Sequence, residues 1–342
     1  MTIDLVVVGA GLSGAVIAER AARVLGWRVV VIEQRGHIAG NAFDCLDKHG
    51  VLVHRYGPHV FHTNSDKVWA YLSQFTGWRP YEHRVRAMIG DRLVPVPFNL
   101  SSIAPLFSHS RAQSVRAALV QEYGFGASVP ILRLRASRNR LVRTLADFVY
   151  ERVFLGYTIK QWGLRPEELD GSMTARVPVR VSHDDRYFTD RFQALPRDGY
   201  TALVGRMLAH PNIDVILQTD FHDVASQLRY GRLVYTGPMD RFSDYRHGEL
   251  PYRSLRFAFC HFGSERVQPT GSLTYPNQHA YTRTCEFNVL TGQRAVGTTL
   301  SYEYPQPNQP GHTTPYYPIP RPENRALDAT ARAPEASADR PP

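Results

Sequence analysis

The sequence predicts an α/β fold with three parts: a Rossmann-like dinucleotide-binding domain, a mainly helical unit inserted into it, and an antiparallel β-sheet domain. Three observations carry this. The chain opens with an apolar run, a Gly-x-Gly-x-x-Gly turn and an Ala-rich helical stretch. Residues 99–155 are mostly helical in pattern, and residues 249–304 alternate as strands do. A chain of 342 residues is long enough for two or three structural units and a sizeable core.

The first element is the strongest. Val6-Val7-Val8 reads as a strand, Gly9-Ala10-Gly11-Leu12-Ser13-Gly14 as a tight turn, Ala15 to Ala22 as a helix, and Val29 to Ile32 as a second strand. Gly9 permits the turn, Gly11 lets the backbone approach a pyrophosphate, and Gly14 lets the helix pack on the strand. The N–H groups at the helix start then face the diphosphate, at the positive end of the helix dipole. Glu33 closes the second strand, roughly 20 residues on, where a carboxylate accepts from a ribose hydroxyl. The motif predicts an ADP moiety and does not separate FAD from NAD.

Small residues at 39–42 would let backbone lie close to a flat cofactor. Asp47 to Gly50 forms a turn before Val51-Leu52-Val53. His59 and His62 are three apart with no third ligand nearby, so polar groups beside the cofactor are expected rather than a metal site. Residues 66–79 read as an amphipathic helix with Val68, Trp69, Leu72 and Phe75 inward. Val85–Ile89 and Leu93–Val96 read as strands about a Gly90-Asp91 turn. Ala112–Tyr123 and Leu141–Phe154 are the strongest helices of the inserted unit, 80–165.

Gly156-Tyr157-Thr158-Ile159-Lys160-Gln161-Trp162-Gly163 is dense in hydrogen-bonding and stacking groups. Trp162 suits a base or sugar platform, and equally a half-buried helix end. Arg176 and Arg180, near Tyr187, suit either a diphosphate clamp or surface ion pairs; Pro178 argues against a regular helix there. Tyr200–Leu208 reads as a helix. Val215–Leu217 and Arg232–Tyr235 read as strands that return to the dinucleotide sheet. Leu255–Phe262 and Ala295–Tyr302 belong to the antiparallel sheet.

The net charge of +9 is carried almost entirely by arginine, since Lys48, Lys67 and Lys160 are the only lysines. No basic run with interleaved aromatics points to nucleic acid. Arginine also suits an anionic nucleotide, because its planar fork binds oxyanions bidentately. Cys45, Cys260 and Cys285 have no paired spacing and read as reduced thiols of a cytoplasmic protein. No signal peptide and no membrane-spanning run is expected.

Together these motifs resemble the prokaryotic UDP-galactopyranose mutases over residues 1–318. The resemblance rests on the glycine turn, Gly40-Asn41, His54-Arg55-Tyr56-Gly57-Pro58-His59-Val60-Phe61-His62-Thr63-Asn64, and Tyr157 to Gly163. It continues in Arg176-Val177-Pro178-Val179-Arg180, Tyr187-Phe188, Gly199-Tyr200, Tyr235-Thr236-Gly237-Pro238, Tyr281-Thr282-Arg283 and Tyr316-Tyr317-Pro318. It implies FAD rather than NAD, with the reduced flavin active, and interconversion of UDP-galactopyranose and UDP-galactofuranose for cell-surface glycans. In the family, flavin N5 attacks the anomeric carbon as UDP leaves. The sugar ring opens through an iminium species and recloses as the five-membered form, and UDP returns. A discontinuous FAD domain (1–79 and 199–248), substrate-site strands at 166–198, a sheet roofing the sugar site (249–318) and a homodimer are also implied.

Carried over by motif, Arg176 and Arg283 would clamp the phosphates, with Tyr187 and Tyr317 hydrogen-bonding them. Tyr157, Thr158 and Trp162 would line the uridine, with Phe98 and Asn99 also touching the nucleotide. His59 would stand against the flavin near N5, beside Val60. Gly9, Ala10, Gly11, Leu12, Ser13 and Gly14 would hold the rest of FAD with Glu33, Gln34, Gly40 and Asn41. One departure is small: Ala39 replaces a family glycine. Thr274 stands where the family has Asn, so one sugar contact is expected to be altered. A third lies at the end. Residues 319–342 do not resemble the family segment that closes the flavin site. Rich in Pro, Ala and charge, they are expected to be disordered, with weak FAD retention. Two other classes stay open: an FAD oxidoreductase of the amine-oxidase type, and a non-catalytic UDP-sugar binder or defective mutase.

Overall fold

The structure is a computed structural model that describes residues 2–170, 177–246 and 248–324. Strand β1 (Ile3–Val8) passes through the glycine turn into α1 (Leu12–Leu25), and β2 (Val29–Ile32) returns beside β1 in parallel. A Cβ on Gly14 would lie 1.9 Å from the Gly9 carbonyl oxygen, so α1 packs on the turn only because that position is glycine. Strands β3 (Asp44–Leu46) and β4 (Leu52–His54) form a hairpin, and β5 (Phe61–Thr63) leads to α2 (Asp66–Leu72) and β6 (Trp78–Pro80).

Helix α2 is shorter than the pattern predicts. It ends at Leu72, and Val68 faces solvent, 41% exposed. Its Trp69 stacks on Trp78 and Phe192 (centroids 4.8 and 4.6 Å) rather than entering a core. Phe75 alone of the predicted inward residues is fully buried, and it sits past the helix end.

Strands β7 (Val85–Ile89) and β8 (Arg92–Val96) pair as predicted. The helical unit follows: α3 (Leu100–Ile103), α4 (His109–Tyr123), the short β9 (Ser128–Val129), α5 (Ile131–Arg135) and α6 (Arg140–Val149). Phe98, Ile103, Leu119, Ile131, Leu134 and Val149 form its core. The second helix expected from 141 to 154 is not uniformly α. It passes through a π-helical turn at Tyr150–Leu155 into α7 (Gly156–Trp162).

Beyond lie β10 (Val179–Arg180), β11 (Phe192–Pro196), α8 (Tyr200–Leu208), β12 (Ile213–Ile216) and β13 (Tyr230–Tyr235). The last two finish the first sheet, whose order is β12-β2-β1-β13 with every pair parallel. The dinucleotide domain is therefore assembled from both ends of residues 3–235. Asp44 ties these halves: its carboxylate accepts the N–H groups of Tyr200 (2.6 Å) and Thr201 (2.8 Å) at the start of α8. Gly199 is required there, at φ +89°, since a Cβ would stand 2.6 Å from that carboxylate.

The remaining elements are β14 (Tyr252–Phe262), β15 (Ser272–Thr274), β16 (Arg283–Glu286), α9 (Phe287–Thr291), β17 (Thr298–Pro307) and β18 (Tyr317–Pro318). They form a seven-stranded sheet with the β7-β8 hairpin, in the order β18-β14-β17-β16-β15-β7-β8. This corrects two expectations. The hairpin at 85–96 belongs to this sheet rather than to the helical unit alone, and the sheet is mixed, because β15 runs parallel to β7. A third correction concerns the end of the chain. Residues 319–324 are built into the structure: Ile319 N–H donates to Pro251 O, Asp170 N–H to Pro320 O, and Arg321 pairs with Glu168. Backbone hydrogen bonds hold this piece despite its low apolar content. The rest of the predicted tail lies outside the described residues.

Among the described residues no helix is long and apolar enough to cross a membrane. Cys45, Cys260 and Cys285 are free. Asp44→Ala removes two charge-assisted bonds and leaves buried N–H groups at the start of α8. It should lower unfolding free energy by about 1–3 kcal/mol, read from denaturant midpoints at constant slope.

Candidate functional site

Two cavities flank the region where the first sheet meets the mixed sheet. The first, about 420 Å³, opens over the C-terminal ends of β1 and β2. Gly9, Gly11, Glu33, Gln34, Gly40 and Asn41 line it, six of the positions predicted to hold a cofactor. Gly40, at φ +55°, lies so close that a Cβ there would be 3.0 Å from Gly11 Cα. Bare backbone on both sides leaves a cradle for a diphosphate. Glu33 is held by two main-chain donors, Ala10 N–H (2.9 Å) and Arg35 N–H (2.9 Å), which fix its carboxylate at the cavity wall. Arg35 in turn donates to Asn41 Oδ1 (2.9 Å) and lies over the Tyr56 ring. Thr236, at the end of β13, donates to Val8 O and abuts Gly9, which explains the distant Tyr-Thr-Gly-Pro motif. These residues fit the ADP half of a dinucleotide. Ala10, Leu12, Ser13 and Gly14 shape the turn behind them rather than line the cavity.

The second cavity, about 430 Å³, lies between the mixed sheet and the helical unit. It gathers most of the predicted substrate residues: Phe98, Tyr157, Thr158, Trp162, Tyr187, Thr274, Arg283 and Tyr317, with Val60 at one wall. These come from seven separate segments of the chain. Arg283 is the charge among them. It sits on β16 directly across from Glu303 on β17, and its Nε lies 3.8 Å from Glu303 Oε2. The Glu303 carboxylate, buried beneath it, holds the guanidinium firmly charged, well above its ordinary pKa. Arg283 Nη2 donates to Tyr157 Oη (3.2 Å), while its buried Nε has no hydrogen-bond partner among the described residues. Its Nη1 also makes no hydrogen bond among the described residues, so donor capacity is left over for an anion. Burial pushes the Tyr157 hydroxyl up to about 12, so it stays protonated and available as a donor.

Helix α7, which carries Tyr157, Thr158 and Trp162, is held from outside the cavity. Gly156 packs against Pro276 and Asn277, where a Cβ would be 2.5 Å from Pro276 O. Lys160 Nζ donates to the carbonyls of Tyr275 (2.7 Å) and Gln278 (2.8 Å). Arg253 reaches the carbonyls of Gln161 (2.9 Å) and Lys160 (3.1 Å) at the C-terminal end, where a cation suits the helix dipole.

Other predicted residues are placed elsewhere. Asn99 is buried and caps α3, accepting from Ser101 N–H and donating to Pro97 O, so its side chain is used up by the backbone. His59 lines neither cavity. Its Nδ1 pairs with Gly57 O (2.8 Å), its N–H donates to His54, and burial lowers its pKa. Arg180, read with Arg176 as a diphosphate clamp or a surface ion pair, donates instead to the carbonyls of Arg186 and Tyr187. Arg176 lies outside the described residues. Three lining or supporting residues escaped the sequence reading. Glu303 lacked any local signal, because its role comes from cross-strand pairing. Gln161 stood inside a noted motif; it is buried, and its Oε1 has no partner among the described residues. His83 lay just ahead of the predicted strand Val85–Ile89 and outside every motif.

The family model for UDP-galactopyranose mutase matches residues 152–338, and one for an NAD(P)-binding Rossmann-like domain matches residues 7–75. The chain is 35% identical to a probable UDP-galactopyranose mutase of Klebsiella pneumoniae, over 92% of this chain and 81% of that one. The chain belongs to the UDP-galactopyranose mutase family. It is an enzyme of that type. A dTDP-fucopyranose mutase of Escherichia coli is 32% identical, with 92% and 84% covered. Among solved structures, a reduced UDP-galactopyranose mutase shares the fold with a TM-score of 0.66 at 14% identity, covering 95% of this chain and 86% of that one. The mutase family match extends past Pro318, where the motif resemblance stops.

Arg253→Met strips the α7 carbonyls of their cation. We expect a loss of about 1.5–3 kcal/mol of stability and faster protease cleavage near residues 156–163, checked by denaturation and timed digestion.

Proposed function

We propose that this chain is an FAD-dependent isomerase that interconverts UDP-galactopyranose and UDP-galactofuranose. The observation that carries the reading is Arg283. It is a half-buried, permanently charged guanidinium, oriented by Glu303 and Tyr157 and with donors unspent, in a cavity walled by aromatic and apolar groups. Low dielectric there strengthens its hold on an anion. A diphosphate seated against Arg283 gains negative charge as it departs the anomeric carbon, so the contact strengthens on the way to the transition state. Tyr157, Tyr187 and Tyr317 supply further donors to the same oxygens, and the missing partner would be Arg176. Gln161 Oε1 suits the imide N–H of a pyrimidine, with Trp162 as the adjoining face. The reduced flavin, when bound, supplies the nucleophile for that carbon, and Gly9, Gly11, Gly40, Asn41 and Glu33 would hold its ADP half. The chain's part is to bind, orient and exclude water. A cytoplasmic setting, a homodimer and delivery of product to cell-surface glycans follow from the family resemblance.

A second reading keeps the reaction and changes the sugar nucleotide to dTDP-fucopyranose, the substrate named for one relative. Thr274 favours it: its hydroxyl leans toward Arg86 O (3.4 Å), with Val85 and Val96 nearby in the lining, an apolar setting for a 6-deoxy carbon.

Purified protein reduced with dithionite should isomerise UDP-galactofuranose with no net redox change, while the oxidised protein should not. Equal turnover without reduction, or substrate-dependent hydrogen peroxide, would replace this reading with that of an oxidase. A higher kcat/KM for dTDP-fucofuranose than for UDP-galactofuranose would select the second substrate. Arg283→Ala should weaken UDP binding and turnover by roughly 2–5 kcal/mol in total, measured by calorimetry and product formation. Gln161→Leu should raise the Kd for UDP about tenfold, as expected when a buried base donor loses its acceptor.

A further inference from the structure

His83 lines the second cavity and has no part in any motif. It is buried, just before β7, and its carbonyl accepts the Tyr187 N–H (2.6 Å). Its ring lies edge-on to Tyr187 (centroids 5.7 Å, 62°) and along Phe188 (6.1 Å, 26°). On one edge, Nδ1 is 3.4 Å from Tyr81 Oη. On the other, Nε2 has no hydrogen-bond partner among the described residues.

The charged and titratable groups around the ring fix its state. Burial first, then the Arg283 charge from β16 and His62 from β5, push its pKa down to about 3. Tyr81, from the same segment, is held protonated by burial. Tyr187 completes the surround. The imidazole is therefore neutral across the physiological range. The protonated Tyr81 hydroxyl faces Nδ1 at 3.4 Å; with that hydroxyl as donor, the neutral imidazole carries its proton on Nε2.

We infer that His83 is a further substrate-binding residue, whose Nε2–H donates to a diphosphate oxygen of the nucleotide sugar beside the Arg283 guanidinium. This rests on the proposed reading that Arg283 holds a diphosphate. The chemistry explains the residue type. A second cation here would be repelled by Arg283 in the empty cavity, whereas a neutral donor is not. The anion still receives a charge-assisted hydrogen bond.

The test uses UDP as the probe and calorimetry on the purified chain. His83→Phe keeps a ring of similar bulk and removes the donor; it should raise the Kd for UDP roughly tenfold or more. His83→Gln, which again presents an N–H, should recover part of that loss, a rescue that mere packing would not show. In the parent, imidazole ¹⁵N spectra should report a neutral ring protonated at Nε2, with that proton's signal shifted by UDP. Unchanged UDP affinity in His83→Phe while Arg283→Ala loses binding would overturn the His83 assignment alone. Unchanged affinity in both would remove the diphosphate reading itself. A ring protonated at Nδ1, or insensitive to UDP, also overturns the proposal, and this spectrum decides the matter if His83→Phe fails to fold.

Discussion

The site depends on one ion pair between neighbouring strands, its carboxylate buried and its guanidinium half-buried. Arg283 and Glu303 face each other across the β16–β17 register, so the sheet itself sets their separation. A half-buried guanidinium alone would be costly to desolvate, and a lone buried carboxylate more so. Paired, each makes the other tolerable, and the long Nε···Oε2 distance leaves the arginine only partly satisfied. Glu303 also accepts from Thr282 Oγ1 (3.2 Å), which anchors the acid from the strand side. The cavity thus presents a charge that is fixed in place and still has donors to offer an anion.

Around this pair, the other walls are positioned by contacts that never touch the cavity. Helix α7 brings three polar or aromatic side chains to one wall only because Lys160, Gly156 and Arg253 tie it to the loop after β15 and to β14. That loop runs into β16 and Arg283. Support for the aromatic wall and for the charge therefore passes through the same stretch of chain. A π-helical turn joins α6 to α7, so the helical unit runs without a break into the wall of the site. The second cavity is built by the joining of three parts of the fold, not by any one of them.

The cofactor end shows the same economy of means in its backbone. Glycine at 9, 11, 14 and 40 lets two chain segments meet without side chains between them, and Glu33 is fixed there by main-chain donors. The sheet that carries this turn is closed by strands more than two hundred residues later, and Asp44 locks the returning helix α8 onto the early hairpin. A local motif and a long-range closure are both needed before the cradle exists.

Local sequence determined the parts whose physics is local. The glycine turn, helix α8 from Tyr200 to Leu208, and the β7-β8 hairpin were legible because backbone freedom and side-chain periodicity act over a few residues. The ordered set of motifs likewise pointed to the family and to Arg283, Tyr157, Trp162 and Tyr187 before any of them had neighbours. The tertiary structure decided what required partners. It turned Val68 outward because Trp69 found aromatic rings to stack on, and it spent Asn99 on a helix cap. It also joined the β7-β8 hairpin to a mixed sheet by one parallel pairing, and it drew residues 319–324 into the fold through backbone hydrogen bonds. Glu303, Gln161 and His83 became visible only there. A carboxylate under an arginine, an amide oxygen without a donor and a histidine held neutral are relations between distant segments, and no window of the sequence contains both partners.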